Sequence, residues 1–108
     1  MNEQAALTES TYYILLSLVA PRHGYGIMQK TEQLSAGRVR LAAGTLYGAL
    51  NALCDKGWIA PLPTAEDSRK KQYRLTERGR RVLDREIDRL RELVRSGETV
   101  LKEESGDE

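Results

Sequence analysis

The chain has 108 residues and a formal net charge of +1, and 40% of its residues are hydrophobic. This length suits one domain with a small core. The single cysteine excludes an internal disulfide and a cysteine-based metal site, and it indicates a reducing cytoplasm. No apolar run approaches the roughly 18 residues that a membrane span needs, and the N-terminus lacks a signal-peptide pattern. We therefore expect a soluble cytoplasmic protein with no metal and no cofactor.

Charge is distributed unevenly along the chain. Residues 1–37 carry 2 basic and 3 acidic side chains, residues 38–81 carry 10 and 4, and residues 82–108 carry 5 and 9. A basic middle segment indicates a polyanion as the partner.

The first predicted helix begins after Thr8, whose hydroxyl suits an N-cap, and ends before Pro21. Tyr12 and Tyr13 are adjacent and point about 100° apart on a helix. One of the two is expected to face a partner while the other joins the core.

The second predicted helix spans residues 25–34, with Ile27, Met28 and Leu34 facing inward, and stops at Gly37. Residues 38–41 alternate polar and apolar side chains, which predicts a very short strand.

The third predicted helix, residues 44–56, has two contrasting sides. Leu46, Leu50 and Leu53 form an apolar stripe. The opposite side carries Gly44, Tyr47, Gly48, Asn51 and Asp55, where a merely solvated helix usually carries Lys, Glu and Arg. Gly48 in a helix interior costs about 1 kcal/mol relative to alanine. These small residues therefore indicate a surface that a large partner approaches closely.

Two residues on that side have alternative interpretations. Tyr47 lies at the edge of the apolar stripe, so an exposed hydroxyl is favoured over a place in the core. Asn51 has an amide that suits the edge of adenine, but it could equally bind a phosphate.

Two strand-like segments follow, residues 58–63 and 72–76. Pro61 and Pro63 restrict the first of these to a short strand or a sheet edge. The connection ends in a basic run, Arg69, Lys70 and Lys71. A hairpin with a basic tip after two helices is typical of a winged helix, although a charged loop can also serve only solubility.

The last predicted helix begins after Thr76 and runs to about residue 102. A heptad seam, which predicts packing against another helix, consists of Leu83, Ile87, Leu90, Val94, Gly97 and Leu101. Gly97 is expected to fray or kink the helix. The seam could pack on its own domain, but the helix is too long for so small a body to cover, which favours a dimer.

The chain resembles the short PadR-type transcriptional regulators. The matching motifs are His23-Gly24-Tyr25, Gly44-Thr45-Leu46-Tyr47-Gly48-Ala49-Leu50, Lys56-Gly57-Trp58-Ile59 and Tyr73-Arg74-Leu75-Thr76-Glu77-Arg78-Gly79. This resemblance implies a winged-helix homodimer that binds palindromic operator DNA and represses transcription.

The resemblance also implies roles for individual residues. The helix with Gly44 and Gly48 enters the major groove, the wing residues contact the DNA backbone, and Tyr25 contacts a phosphate. The full set of expected DNA contacts is Tyr25, Gly44, Thr45, Tyr47, Gly48, Asn51, Arg69, Lys70 and Lys71. The chain departs from the family pattern at Gly48, where proline is usual, and at Ala42 and Ala43, where a serine-type cap is frequent.

The predicted fold is mainly α with a small β-hairpin: a winged helix-turn-helix in residues 1–76, a dimerisation helix in residues 77–102 and a disordered acidic tail in residues 103–108. The expected dimer contacts are Leu83, Ile87, Leu90, Val94 and Leu101, with Tyr12.

The expected partners are double-stranded DNA and a second copy of the chain. Some proteins of the family that the chain resembles bind aromatic molecules between subunits through aromatic residues of the last helix. Residues 77–102 contain no aromatic residue, so that pocket is not expected here, and a pocket near Tyr12, Tyr13 and Trp58 stays an open alternative. No effector is identified. The alternative function is a winged-helix module that binds protein. An enzyme is not expected, since no nucleophile–base pair, phosphate loop or paired carboxylates stand out.

Overall fold

The computed structural model describes residues 5–63 and 71–105. In this part of the chain the elements are, in order, α1 (Glu9–Ser17), β1 (Arg22–His23), α2 (Gly24–Leu34), α3 (Ala43–Asp55), β2 (Ile59–Pro61), β3 (Gln72–Leu75) and α4 (Glu77–Glu104). The strands form one antiparallel sheet in the order β1-β3-β2. The predicted winged helix-turn-helix with a long last helix is confirmed.

Local hydrogen bonds fix where the helices begin and end. The Thr8 hydroxyl accepts a bond from the Thr11 N–H at 3.1 Å, and the Thr76 hydroxyl accepts one from the Gly79 N–H at 3.0 Å. The predicted N-cap at Thr8 is therefore confirmed, and the helix predicted to begin after Thr76 is capped by that residue. Gly57 ends α3 with a φ of 76°, in the left-handed region that glycine adopts without a steric penalty.

The core lies where one face of each helix meets the sheet. Its buried members are Ile14, Leu15, Leu18, Ile27, Leu46, Leu50, Leu53, Ile59, Tyr73, Val82 and Leu83. The predicted leucine stripe of α3 is part of this core, with Leu46 and Leu50 fully buried and Leu53 4% exposed. The opposite side of α3 is therefore left facing outward.

Two predictions between α2 and α3 are wrong. Residues 38–41 form no strand, because the Val39 N–H donates to the Ser35 hydroxyl at 2.9 Å and the Val39 side chain is buried in the loop. Leu34, predicted to face inward, is 38% exposed at the end of α2. The alternation of polar and apolar side chains that predicted a strand covers only four residues. The hydrogen bond from the Val39 N–H to the Ser35 hydroxyl instead determines the conformation of this loop.

The sheet differs from the predicted hairpin by one extra strand. β1 is two residues long and pairs Arg22 with Tyr73, and the Arg22 Nε donates to the Ser17 carbonyl at 2.7 Å. A strand this short has no periodicity that a sequence could show. The predicted restriction by Pro61 is confirmed, since it ends a three-residue strand at the edge of the sheet.

The last helix, α4, is 28 residues long, which corresponds to about 42 Å. It continues through Gly97 to Glu104, so the predicted fraying at Gly97 is wrong, and it enters the segment predicted as an acidic tail. Residues 106–108 of that predicted tail lie outside the described residues. From residue 91 to residue 105 every side chain is exposed. Among the described helices none is long and apolar enough to cross a membrane.

The buried carboxylate of Glu86 joins α4 to the segment before α1. The carboxylate of Glu86 is 2% exposed and accepts bonds from Arg89 at 2.9 and 2.6 Å. These bonds hold the pKa of Glu86 below its usual value, and a bond from the Leu7 backbone N–H acts in the same direction. The N-terminal segment is thereby fixed against the start of α4.

Candidate nucleic-acid interface

The outward side of α3 carries five of the predicted DNA-contacting residues, which we call the recognition face: Gly44, Thr45, Tyr47, Gly48 and Asn51. All five are exposed. A Cβ atom added to Gly44 or Gly48 would meet nothing within 4 Å. The two glycines therefore are not required by packing within the described chain, and they leave the α3 backbone open to close approach.

Tyr47 connects the recognition face to the start of α2. Its side chain is 46% exposed, and its hydroxyl occupies the space that a Cβ on Gly24 would need. Gly24 is thus required by a close approach between two helices. Tyr25 follows it directly and is 63% exposed. The structure therefore brings the predicted contacts Tyr25 and Tyr47 to neighbouring positions.

Gln29 was missed by the sequence interpretation. It lies one turn after Tyr25 on α2, is exposed, and its amide donates to the Tyr25 hydroxyl at 3.4 Å. The sequence did contain a signal, because Tyr25 and Gln29 are four residues apart and therefore neighbours on a helix. That signal is weak, since α2 contains several such pairs of polar residues.

The N-terminus of α3 has no side-chain cap. Ala42 occupies the N-cap position and makes no side-chain hydrogen bond, and the first turn contains no acidic residue. The first N–H groups of an uncapped helix carry a partial positive charge and can donate hydrogen bonds to a phosphate oxygen. The departure from the family pattern at Ala42 and Ala43 therefore leaves this helix end available to an anion.

Strand β3 places Lys71 beside α3. The Lys71 ammonium lies 5.8 Å from the centre of the Tyr73 ring. Burial raises the pKa of the Tyr73 hydroxyl, with smaller contributions from nearby Cys54 and Tyr47. Burial likewise raises the pKa of the Cys54 thiol, and Lys71 opposes that shift. Arg69 and Lys70, the other predicted wing contacts, lie outside the described residues.

The predicted dimer contacts occupy two different environments. Tyr12, Ile87, Leu90 and Val94 line a shallow groove of about 440 Å³, which we call the α4 groove. Leu83 is 2% exposed and belongs to the core of its own domain, whereas Leu101 is 72% exposed near the end of α4. The structure therefore brings four of the six residues together.

The recognition face, Tyr25 and Lys71 offer hydroxyls, an amide, an ammonium group and open backbone. These groups bind phosphates and base edges. Within residues 5–63 and 71–105, no three His, Cys, Asp or Glu side chains are grouped to hold a metal ion.

Known proteins share both sequence and fold with this chain. Residues 14–85 match the model of the transcriptional regulator PadR-like family. A 37.1 kDa protein of transposon Tn4556 from Streptomyces fradiae is 44% identical over 66 residues, which are 61% of this chain but only 18% of that protein. A PadR family transcriptional regulator from Eggerthella lenta has a TM-score of 0.63 and 28% identity, over 83% of this chain and 78% of its own.

A further solved structure is similar in fold. F93 from STIV, a winged-helix DNA-binding protein, has a TM-score of 0.63 at 17% identity, over 82% of this chain and 95% of its own. The family match covers the α1 core residues, α2, α3, the sheet and the first turns of α4. On this evidence the chain belongs to the PadR-like family of transcriptional regulators and has its winged-helix DNA-binding fold.

Proposed function

We propose that the protein is a cytoplasmic, dimeric repressor that binds a palindromic operator through the recognition face of each protomer. The observation that supports this most is the open surface of α3, on which two exposed glycines have no packing role within the described chain. As a regulator of this family, the protein is not an enzyme.

Each group would have a distinct role in the complex. Thr45, Tyr47 and Asn51 would contact bases or phosphates in the major groove, where side-chain hydroxyls and amides read base edges. Tyr25 and Lys71 would contact phosphates on either side, together with Arg69 and Lys70. The uncapped N-terminus of α3 would accept a further phosphate.

The dimer would form through the α4 groove and the exposed half of α4. An amphipathic helix that extends beyond its own domain leaves apolar surface in water unless a second element covers it. Val94 and Leu101 are 58% and 72% exposed in the protomer. A second copy would cover them and would provide the two-fold symmetry that a palindrome requires.

Salt dependence distinguishes this function from a module that binds protein. Affinity for arbitrary duplex DNA is expected to fall steeply with salt, because each phosphate contact releases about 0.9 of a counterion. Replacing Lys71 with Gln should reduce the slope of log K against log salt by about 0.9 per protomer. A slope near zero for the unmodified protein would favour the protein-binding module instead.

Replacing Gly48 with Ala is expected to stabilise the fold and weaken DNA binding. The helix propensity of alanine should raise the free energy of unfolding by about 1 kcal/mol, since the methyl group meets nothing within 4 Å. Operator binding should weaken by about 1 kcal/mol or more, because the methyl group stands between the helix backbone and the duplex. Chemical denaturation and fluorescence anisotropy with labelled operator measure the two effects.

Gly97 provides a matched control. It also lies in a helix interior with nothing within 4 Å of an added Cβ, but it is on α4 and distant in sequence from the recognition face. Gly97→Ala should raise stability by a similar amount and leave the affinity per dimer for DNA unchanged. An equal affinity of the Gly48→Ala protein for operator would contradict close approach at that position.

A further inference from the structure

A second groove is built from three parts of the chain. It has a volume of about 1040 Å³ and lies between residues 5–11, the second half of α3 and the first turns of α4. Its apolar lining consists of Ala5, Ala6, Leu7, Ala49, Ala52, Leu53, Trp58 and Val82. We call it the cationic groove, because of the charged side chains described next.

Among the described residues, four basic side chains and no acidic one line this groove: Lys56, Arg78, Arg81 and Arg85. Arg78 and Arg85 have no hydrogen bond or ion pair with any described residue. Arg81 has one exposed contact, at 3.7 Å from Glu77. Elsewhere on α4, Arg80, Arg89, Arg91 and Arg95 each pair with a carboxylate three or four residues away. Lys56, Arg78 and Arg85 are thus left without an ion pair among the described residues.

The groove also contains the single tryptophan of the chain. Trp58 is half-buried, and the Lys56 ammonium lies 5.0 Å from the centre of its ring. An aromatic surface beside several cations suits a ligand that combines a flat ring with negative charge.

The cationic groove lies away from the α4 groove and adjoins one edge of the recognition face. On α4, Arg78, Arg81 and Arg85 lie at least roughly 120° from the apolar residues of the α4 groove. On α3, Ala49 and Leu53 lie at least roughly 120° around the helix from Tyr47 and Asn51, but Ala52 lies roughly 20–40° from Thr45 and Gly48. DNA affinity is therefore measured alongside ligand binding.

We propose that the cationic groove binds an organic anion with two or more negative charges beside a flat ring, a chemistry represented by a nucleoside polyphosphate. The guanidinium groups of Arg78 and Arg85, which no described residue pairs with, and the ammonium group of Lys56 carry more positive charge than a single carboxylate would neutralise. Guanidinium groups bind phosphate oxygens in a bidentate manner. Leu7, Leu53 and Trp58 provide the apolar contact for the ring.

Fluorescence of Trp58 measures the binding directly, in the absence of DNA. ATP without metal is titrated into the full-length protein, and adenosine and tripolyphosphate are titrated separately as the two halves of the ligand. ATP is expected to change the fluorescence saturably. Each half should bind at least about tenfold more weakly, because each retains only the apolar or only the ionic contacts. No saturable change with ATP, or equal affinity for ATP and tripolyphosphate, would overturn the proposal.

Two double variants test the location. Arg78→Gln with Arg85→Gln should weaken ATP binding on the order of tenfold or more, since charge-assisted hydrogen bonds are lost. Arg74→Gln with Arg80→Gln removes the same charge outside the groove and should leave ATP affinity unchanged. Circular dichroism confirms that each variant is folded. Equal weakening by both pairs would show non-specific attraction and would refute the site.

The same variants also separate this site from the DNA surface. The double variant Arg78→Gln with Arg85→Gln should bind arbitrary duplex DNA with the affinity of the unmodified protein. Lys71→Gln should bind the same duplex more weakly. If the Arg78/Arg85 pair loses DNA affinity as Lys71→Gln does, the groove belongs to the DNA interface and the proposal is wrong.

Discussion

Replacing Leu90 with Asp is expected to convert the protein into monomers and to abolish tight operator binding. Leu90 lines the α4 groove with Tyr12, Ile87 and Val94, which we propose is covered by the second copy. A carboxylate placed in an apolar interface without a partner costs several kcal/mol. At about 3 kcal/mol the dissociation constant of the dimer rises on the order of 100-fold. Sedimentation velocity across a concentration series measures that change.

Loss of the dimer should also reduce operator affinity. Two linked recognition faces bind two half-sites with an effective concentration advantage that a monomer lacks, worth on the order of 100-fold or more. Binding to a single half-site should change little, because the recognition face is untouched.

Ser96 provides the control for this change. It lies on α4, exposed, roughly 120° around the helix from Leu90 and roughly 160° from Val94. Ser96→Asp introduces the same charge and should leave the dimer intact. A Leu90→Asp protein that sediments as a dimer would place the interface on another surface.

Replacing Tyr47 with Ala is expected to weaken operator binding by about 1–3 kcal/mol, roughly 5- to 150-fold. The exposed part of its side chain lies on the recognition face, beside the first turn of α2. The change should also lower the free energy of unfolding, because the ring fills the space over Gly24. Anisotropy with labelled operator, together with chemical denaturation, measures both quantities.

Tyr47→Phe separates the two effects. Phenylalanine keeps the ring over Gly24 and removes only the hydroxyl, so stability should be largely preserved. If the hydroxyl donates to DNA, affinity falls by about 1 kcal/mol. Full operator affinity in both the Ala and Phe proteins would exclude Tyr47 from the interface.

Local signals in the sequence predicted much of this fold. The leucine stripe of α3 has helical spacing, so burial of Leu46, Leu50 and Leu53 followed directly. Thr8 was identified as a cap, because capping joins a side-chain oxygen to an N–H group within the next three residues. These features depend on neighbours in the chain, which a sequence shows.

Features that depend on distant residues were not predicted. The strand expected at residues 38–41 was wrong, since a bond from the Val39 N–H to the Ser35 hydroxyl shapes that loop. The need for glycine at position 24 became evident only once Tyr47 was placed over it. The cationic groove likewise joins Lys56 to arginines more than twenty residues away, and no spacing in the sequence indicates that they meet.

The most direct test is to select bound sequences from a random pool of duplex DNA with the purified protein, at low salt and at physiological salt. Two recognition faces related by a two-fold axis should enrich an inverted repeat whose half-site centres are about 10 base pairs, or 34–36 Å, apart. Enrichment of a sequence without two-fold symmetry, or of none at either salt concentration, would contradict a dimer that presents α3 to DNA.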